Sequence, residues 1–346
     1  MKKSLKFIIA ALLLLTAVSV FAYRYYSTYY KPNSVKNDAD IYVYADEDYD
    51  NFLASFLKSG VVKDRRTFAY AAYKLDLAPV LQAGHYNIKP GLTNKEIIRI
   101  FANGYQTPIM LQVKGYIRTP ENMASYLGKQ LLADSSAFMA ALNDKALMDS
   151  LGFKKETYLS VFIPDTYEVW WTITPDDLIK RMKKEYDAFW NESRTAKAKA
   201  IGLTKDEVMT LASIVIEETK YEPEMPTVAG VYINRLKKGM LLQADPTVLY
   251  ALNEEGVTRV LNKHLEIDSP YNTYRYPGLP PGPITIAPKA AIDAVLNYQH
   301  HNYLYFCAKD TFDGQHNFAV TYTDHLKNAR AYQRALSARA SSRATL

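Results

Sequence analysis

The feature that most limits how this 346-residue chain can fold is an uncharged apolar run near its start, from Phe7 to Tyr23. Three lysines precede the run, and Arg24 and a tyrosine-rich segment follow it. A membrane-spanning helix needs about 17 to 25 apolar residues, and positive residues before a span favour a cytoplasmic N-terminus. We therefore predict a cytoplasmic segment at 1–6, a transmembrane anchor at 7–23 in the cytoplasmic (inner) membrane, and a folded body outside the cytoplasm.

A cleaved signal peptide is the alternative, because Val20-Phe21-Ala22 has the small-residue pattern of a cleavage site. The run is longer than the apolar core of a usual signal peptide, and tyrosines of the kind found at membrane interfaces follow it. Both points favour the anchor. Under either interpretation the folded body is exported.

Composition excludes several classes of protein. Hydrophobic residues at 48% and charged residues at 23% are ordinary values for a globular chain, long enough here for two modest domains. The net charge of +6 is spread along the chain, and no nucleic-acid-binding motif accompanies it. A single cysteine excludes an intramolecular disulfide. The six histidines form no zinc-binding helical pair, so we predict no metal site.

The fold class predicted for the body is α+β in two parts. A polar, proline-containing segment at 24–40 is typical of a linker. The module at 41–106 then shows a strand, two helices, a strand and a helix, the last capped by Thr93 with Glu96. Strand, two helices and strand is the order of a LysM-like module, and "GHYNIKPGLTNKEIIRIFANG" is part of the segment. A structural spacer without glycan binding is the alternative.

The larger part, 107–336, has a mixed α+β pattern and is the predicted catalytic domain. Residues 337–346 are small and polar, and we predict a frayed tail. The expected elements are helices at 120–132 and 175–200, strands at 110–113, and an extended segment at 161–171.

The segment from Thr204 to Lys220 opens with a capping box and predicts a helix. At 100° per residue, Glu218 falls at the flank of the apolar face, whereas Glu217 points to the polar side. A carboxyl group among apolar neighbours has a raised pKa and can donate a proton near neutral pH. Glu218 is therefore the candidate acid. The alternative is a buried glutamate held in a salt bridge by Arg235 or Arg275.

Several strings resemble, in order and spacing, the catalytic domain of the MltG/YceG family of endolytic murein transglycosylases: "ASIVIEET", "EPEMPTVAGVYINRLKKGMLLQADPTVLYAL", "SPYNTYRYPGLPPGPI" and "YLYFCAKDTFDGQHNFAVTYTDHLKNARAY". The resemblance covers about two thirds of the chain. It places the family's essential glutamate on Glu218. Two positions depart from the family pattern, Ile216 and the Leu159-Ser160 pair before Pro164-Asp165-Thr166-Tyr167.

The resemblance implies cleavage of the bond between N-acetylmuramic acid and N-acetylglucosamine within peptidoglycan strands, leaving 1,6-anhydro ends. The resemblance further implies that one glutamate suffices, because the substrate's own 6-hydroxyl is the nucleophile, and that no metal or organic cofactor is needed. The implied partners are glycan strands and peptidoglycan synthases at the membrane. Two further functions stay open: a lysozyme-like hydrolase with Asp245 or Asp165 as second carboxylate, and a non-catalytic wall-binding or scaffold protein.

The matched loops supply the remaining candidate residues. Gln243 and Asp245 offer an amide and a carboxylate to sugar groups, although Asp245 before Pro246 also fits a helix N-cap. A proline-rich segment and tyrosines make a rigid wall with apolar faces for sugar rings, or serve packing alone. The candidate substrate-binding residues are Gln243, Asp245, Tyr271, Asn272, Thr273, Tyr274, Pro280, Gly282, His316 and Asn317, the last two after the Asp313-Gly314 turn of a predicted hairpin.

Overall fold

The computed structural model describes residues 2–253, 257 and 259–344, and within them the chain forms two compact units. The first unit comprises the chain up to Leu111 together with Gln130–Leu132 and Glu168–Ile173. The second comprises Gln112–Lys129, Ala133–Tyr167 and the chain from Thr174 onward. The sequence did not predict that two short later segments belong with the N-terminal unit.

The first unit has the predicted order of elements, with small shifts at their ends. Strands β1 and β2 pair antiparallel, with Ile41 opposite Tyr86. The assignment of this order to a LysM-like module stays a prediction. The elements are α1 (Lys2–Tyr29), β1 (Ala39–Val43), α2 (Tyr49–Lys58), α3 (Arg65–Lys74), a 3-10 turn (Ala78–Val80), β2 (Gly84–Ile88) and α4 (Asn94–Ala102).

An aromatic cluster forms the core of the first unit. Phe56 lies 4.6 Å from Phe68 and 5.5 Å from Phe101, measured between ring centroids. Phe101 also meets the ring of Tyr86 edge-on at 5.1 Å. Edge-to-face and tilted ring pairs add to the free energy of burial, so these side chains hold the two central helices and α4 against the sheet.

Helix α1 extends six residues beyond the predicted end of the apolar run at Tyr23, to Tyr29. Its segment Ser4–Tyr29 is long and apolar enough to cross a membrane, and none of the most apolar window is buried. An anchor and a signal sequence both satisfy this description. The predicted cytoplasmic segment begins with Met1, which lies outside the described residues.

The prediction of a linker at 24–40 is wrong for much of that segment. Its first part is helical, and Asn33 and Ser34 are then buried, with 5% and 1% of their surface exposed. The side-chain amide of Asn33 donates to Asn94 Oδ1 at 2.7 Å, and the amide of Asn94 donates to the carbonyl of Thr28 at 2.8 Å. Polar composition suggested solvent exposure, but here the polar groups pair with each other inside the fold.

The second unit is mainly helical. Strands β5 and β6 pair antiparallel as the predicted hairpin. Strand β3 pairs with β4, and each of these two strands has residues in both units. The elements from Ile109 onward are β3 (Ile109–Val113), α5 (Pro120–Gly128), α6 (Ser135–Leu142), α7 (Lys145–Ser150), β4 (Asp165–Val169), α8 (Pro175–Phe189), α9 (Glu192–Ile201), α10 (Lys205–Glu218), α11 (Met225–Lys237), α12 (Asp245–Leu252), α13 (Lys289–Leu296), β5 (Tyr305–Ala308), β6 (His316–Ala319) and α14 (Tyr322–Ala344).

Two predicted helices end early. The helix expected to reach residue 132 stops at Gly128, where a β-carbon would lie 2.6 Å from the backbone nitrogen of Ser135, so the close approach of the next helix requires glycine. The helix expected over 175–200 is interrupted, because the Asn191 side chain accepts from the backbone N–H of Arg194 and starts α9.

The frayed tail predicted for 337–346 is wrong through residue 344. Helix α14 continues to Ala344, and residues 345 and 346 lie outside the described chain. Alanine and arginine, which recur in this segment, are good helix formers. The helix propensity of these residues therefore outweighs the presence of small polar residues, on which the prediction of a frayed tail was based.

Helix α10 lies at the centre of the second unit and packs against α11, α12 and α13. Its predicted start is confirmed, since Thr204 and Glu207 form a complete capping box. The predicted polar face is wrong, because every residue from Val208 to Ile216 is buried. Ser213 is accommodated there because its hydroxyl donates to the Thr210 carbonyl and accepts from the Ile284 N–H.

The buried Asn94 side chain gives a test of the contact between the end of α1 and α4 inside the first unit. We expect Asn94→Ala to leave the Asn33 and Thr28 partners unpaired, at a cost of about 1–3 kcal/mol. Amide hydrogen exchange over residues 31–36 should then accelerate by roughly ten- to a hundredfold. Asn51→Ala, at an exposed position on α2, is the matched control and should change exchange little. Unchanged protection in Asn94→Ala would show that the Asn94 side chain does not hold this segment in place.

Candidate active site

Glu218 is the last residue of α10, and the chain leaves the helix immediately after it. Thr219 has extended backbone angles (φ −138°, ψ 134°) and donates its N–H to the carbonyl of Val215. The end of a long buried helix therefore fixes the Glu218 side chain, which is half-buried and keeps a small exposed surface.

The Glu218 carboxyl accepts a hydrogen bond of 2.7 Å from the Tyr232 hydroxyl on α11. The pKa of Glu218 is raised from 4.5 to about 7, mainly by burial, with a smaller contribution from the negative charges of Asp245 and Glu217. The Tyr232 hydrogen bond and the positive charge of Arg235 oppose this shift. At neutral pH both protonation states of Glu218 are therefore populated, as a group that donates and recovers a proton requires.

Glu217 has different surroundings. Its carboxylate accepts a hydrogen bond of 2.7 Å from Arg118 and lies 3.8 Å from the Lys220 ammonium. The predicted solvated position is only partly correct, because 13% of this side chain is exposed. Two cations neighbour Glu217 and none forms an ion pair with Glu218 in the described part of the chain, so the adjacent glutamates differ chemically as predicted.

The alternative of a salt bridge to Glu218 is wrong for both arginines proposed. The Arg235 guanidinium donates to the carbonyls of Leu304 at 2.6 Å and Leu242 at 2.9 Å. Arg275 donates to the carbonyl of Glu266 at 2.7 Å. Arg235 is 8% exposed and brings positive charge towards Glu218 without forming an ion pair with it among the described residues.

Asp245 occupies the first turn of α12, close enough to Glu218 for its charge to act there. The N-cap interpretation is wrong, since Ala244 is the cap residue and no side chain caps this helix. The Asp245 carboxylate instead accepts a hydrogen bond of 2.5 Å from the Tyr274 hydroxyl. Burial followed by this contact raises the pKa of Tyr274. Asp245, Tyr274 and Glu218 thus form one cluster of predicted residues.

Gln243 lies beside this cluster in a left-handed backbone conformation (φ 48°), which is uncommon for a residue other than glycine. Its side-chain oxygen is 3.4 Å from the Arg235 guanidinium, and its N–H donates to the Thr273 carbonyl at 3.1 Å. The exposed amide is held next to the Glu218 cluster.

Asn272 and Thr273 are buried, and their side chains make internal hydrogen bonds. The Asn272 amide donates to the carbonyls of Leu265 and Ile267 at 2.9 and 2.8 Å. The Thr273 hydroxyl accepts from the Ala244 N–H at 2.9 Å. These contacts fix the loop that carries Tyr274. Asn272 and Thr273 therefore act on the site by positioning Tyr274 against Asp245.

Three candidate residues lie apart from the Glu218 cluster. The Tyr271 ring pairs with the Tyr250 ring at 4.7 Å, at the wall of a separate cavity. Pro280 is buried, and a β-carbon at Gly282 would lie 2.0 Å from the Glu156 carbonyl oxygen. The Gly282 backbone therefore packs directly on another segment, which accounts for the glycine by close approach.

His316 on β6 is held by Glu224, a residue that the sequence reasoning missed. Its N–H donates to Glu224 Oε1 at 3.0 Å, and its Nδ1 lies 3.0 Å from Glu224 Oε2. The ring of Phe306 meets both the His316 ring, at 5.4 Å, and the Tyr232 ring, at 5.9 Å. Asn317 follows on the strand, opposite Cys307 in the ladder.

Tyr232 and Arg235 were also missed as site residues. Both lie within a matched motif, "VAGVYINRL", and their spacing of three residues on α11 puts them on neighbouring positions of one helix face. The spacing predicts that the two side chains share a helix face. Only the packing of α11 against α10 shows that this face is turned towards Glu218. Among the residues that the structure describes, no group of three or more histidine, cysteine or acidic side chains could hold a metal ion.

The raised pKa of Glu218 predicts a pH-dependent stability difference. The unfolded carboxyl titrates near 4.5 and the folded one near 7, so the folded state binds more protons between these values and loses stability as pH rises through them. Glu218→Gln carries no charge and should be more stable than wild type above pH 7, by at most about 3 kcal/mol. The difference should vanish below pH 4.5. Denaturant unfolding from pH 4 to 8 measures it.

Glu217→Gln is the matched control for this experiment, since it removes an ion-paired carboxylate one residue away. It should show no gain in stability as pH rises. A gain of the same size in both variants, or none in Glu218→Gln, would contradict the assignment of the raised pKa to Glu218.

Comparison with known proteins gives one consistent result. The YceG-like family profile matches residues 41–331. An endolytic murein transglycosylase of Bacillus subtilis (strain 168) is 35% identical over 303 residues, covering 81% of each chain. One from Streptococcus pneumoniae (strain D39) is 29% identical over 304 residues, covering 78% of this chain and 54% of its own length.

A solved structure agrees with these matches. The crystal structure of a putative YceG-like protein from Listeria monocytogenes superposes with a TM-score of 0.54 at 26% identity, covering 85% of this chain and 99% of the other. Profile, relatives and fold coincide over most of the chain and include the helix that carries Glu218. The chain belongs to the YceG-like family.

Proposed function

We propose that this protein is an endolytic peptidoglycan lytic transglycosylase, a lyase that cleaves the β-1,4 bond between N-acetylmuramic acid and N-acetylglucosamine within glycan strands. The single observation that carries the proposal is the half-buried Glu218 carboxyl, hydrogen-bonded to Tyr232 and with a pKa of about 7. The relatives named endolytic murein transglycosylases support the substrate class.

The proposed chemistry uses Glu218 twice. The protonated carboxyl gives its proton to the glycosidic oxygen as the bond to the muramic acid C1 breaks. The resulting carboxylate takes the proton of the substrate's 6-hydroxyl, whose oxygen bonds to C1 and closes a 1,6-anhydro ring. Glu218 ends the cycle protonated, and no water is consumed.

The residues around Glu218 stabilise both its protonated and its ionised form. When the carboxylate forms, the Tyr232 hydroxyl donates to a charged acceptor, and such hydrogen bonds are stronger than neutral ones. The positive charge of Arg235 also favours the carboxylate, whereas burial and Asp245 favour the acid. These opposing effects keep the pKa near neutrality, where transfer in both directions is fast.

A hydrolase is the second candidate, and the closeness of Asp245 to Glu218 favours it over a non-catalytic wall-binding role. A hydrolytic enzyme needs a second carboxylate to attack or to activate water. Asp165 does not fit that role, since its carboxylate pairs with Lys289. Asp245 is already hydrogen-bonded to Tyr274, which suits an orienting role better than that of a base.

Further parts of the proposal concern binding and location. Gln243, Tyr274 and Asp245 border the Glu218 carboxyl and are proposed to contact sugar groups, while His316 supports the opposite side through Phe306. The exposed apolar helix α1 supports a single-pass anchor with the body outside the cytoplasm, near peptidoglycan synthases that make nascent strands.

The product distinguishes the candidate reactions. We expect the full-length protein in detergent to release fragments from uncrosslinked glycan strands that end in 1,6-anhydro-N-acetylmuramic acid. Such an end is one water lighter than a reducing end, because no water enters the reaction. Mass spectrometry of the fragments measures this difference. Reducing ends would establish the hydrolase, and intact strands would favour a non-catalytic role.

Substitution of the two adjacent glutamates tests which one reacts. Glu218→Gln should lower the cleavage rate by about 10⁴-fold or more, since the amide can neither give nor recover a proton. Glu217→Gln removes only a contact with Arg118 and should cost less than about tenfold. The assay is the strand digestion above, with the fold checked by circular dichroism. Equal losses in the two variants would refute the assignment.

A further inference from the structure

A second cavity lies within the second unit, apart from the Glu218 cluster. Its volume is about 770 Å³, in the range of small-molecule and peptide-segment sites. Neither Glu218 nor Asp245 lines it. Its apolar lining includes Met139, Leu142, Met148, Phe153, Met209 and Ile286. The reaction proposed above makes no use of this space.

The cavity and the Glu218 cluster are nevertheless built on the same elements. Met209 of α10 lines the cavity and precedes Glu218 by nine residues, roughly 13 Å along the helix axis. Tyr250 of α12 lines it and follows Asp245 by five residues, about 7 Å. A ligand with a branch of this length can occupy both places at once.

Arg118 connects the two places directly. It lines the cavity and also donates the 2.7 Å hydrogen bond to Glu217, the neighbour of Glu218. Tyr271 lines the cavity, and Tyr274 in the same loop bonds Asp245. Lining residues of the cavity therefore bond to, or share a loop with, the immediate neighbours of the reacting carboxyl.

Charged groups of both signs surround the apolar lining. Arg118, Lys145 and Lys155 supply positive charge, and Glu121, Asp149 and Glu156 supply negative charge. Lys145 pairs with Asp149 and Arg118 with Glu217, which leaves Lys155, Glu121 and Glu156 outside the ion pairs of the described residues. A neutral sugar or an alkyl chain makes no use of such a set. A short peptide with small apolar side chains, free carboxylates and an amino group matches it, since its charged ends pair with opposite charges.

One buried polar atom points the same way. Ser160 lines the cavity and is 2% exposed, and its hydroxyl has no hydrogen-bond partner among the described residues. A buried unpaired hydroxyl costs about 1–3 kcal/mol, and peptide N–H or C=O groups would satisfy it. Tyr158, Tyr250 and Tyr271 add apolar ring faces at the same wall.

We propose that this cavity binds the peptide branch that muramic acid carries, and that the bound peptide holds the strand in place over Glu218. The inference rests on the proposed function for its substrate. Binding energy from a remote part of a substrate can be used to align the reacting part, so strands with peptides are cleaved faster than bare strands.

The test compares two substrates with the full-length protein in detergent: uncrosslinked strands with their peptides, and the same strands after an amidase has removed them. Wild type should show a kcat/KM about tenfold or more higher on the peptide-bearing strands. Tyr250→Ala and the exposed Glu156→Lys should lower that ratio at least fivefold. Lys184→Glu, an exposed charge change on α8 outside the cavity, should keep the wild-type ratio. Equal rates of wild type on both substrates would overturn the inference.

A binding measurement separates this inference from the proposed function. The free peptide released by the amidase should bind the full-length Glu218→Gln protein with a Kd of about 1 mM or tighter, by calorimetry. The Tyr250→Ala change added to it should weaken binding at least fivefold. If wild type cleaves neither substrate yet the peptide binds, the proposed function fails and the cavity assignment stands. Cleavage without peptide preference or binding refutes the cavity assignment alone.

Discussion

The site depends on placing one carboxyl group where water cannot fully solvate it. Burial of Glu218 is the largest influence on its pKa, and it requires that α10 be enclosed along its length by α11, α12 and α13. The hydrogen bond from Tyr232 then orients the carboxyl. Without the enclosing helices, Glu218 would be an ordinary surface acid with a pKa near 4.5. The packing of the second unit therefore determines the protonation behaviour of Glu218 as well as the fold.

Local signals predicted the parts of this arrangement that depend on neighbours in sequence. The capping boxes at Thr93 and Thr204 fixed the starts of two helices, and both are present. The asymmetry between Glu217 and Glu218 followed from helical geometry and the family motif. The partners of Glu218 could not be found in this way, because Tyr232 and Arg235 come from another helix whose position the sequence does not specify.

The errors share a physical cause. Polar composition suggested solvent exposure at Asn33 and along α10 at Ser213, and both side chains are buried with their hydrogen bonds made internally. An amphipathic pattern predicts a helix with one solvent-exposed face, whereas a helix enclosed by other helices has no exposed face. The N-cap assigned to Asp245 failed for a related reason, since the hydroxyl of Tyr274 competes for the carboxylate. Hydrogen-bond partners far away in the sequence decide whether such polar groups are buried and what they bond.

The hydrogen bonds between the end of α1 and the rest of the first unit have a mechanical consequence. Asn94 bonds the carbonyl of Thr28 at the end of α1 and, through Asn33, the segment that follows. In the proposed anchored state, torque is therefore transmitted across this joint, and the first unit turns about the membrane normal only when the helix turns with it. A partner helix bound to α1 inside the bilayer would therefore fix the rotational orientation of the first unit on the outer side of the membrane.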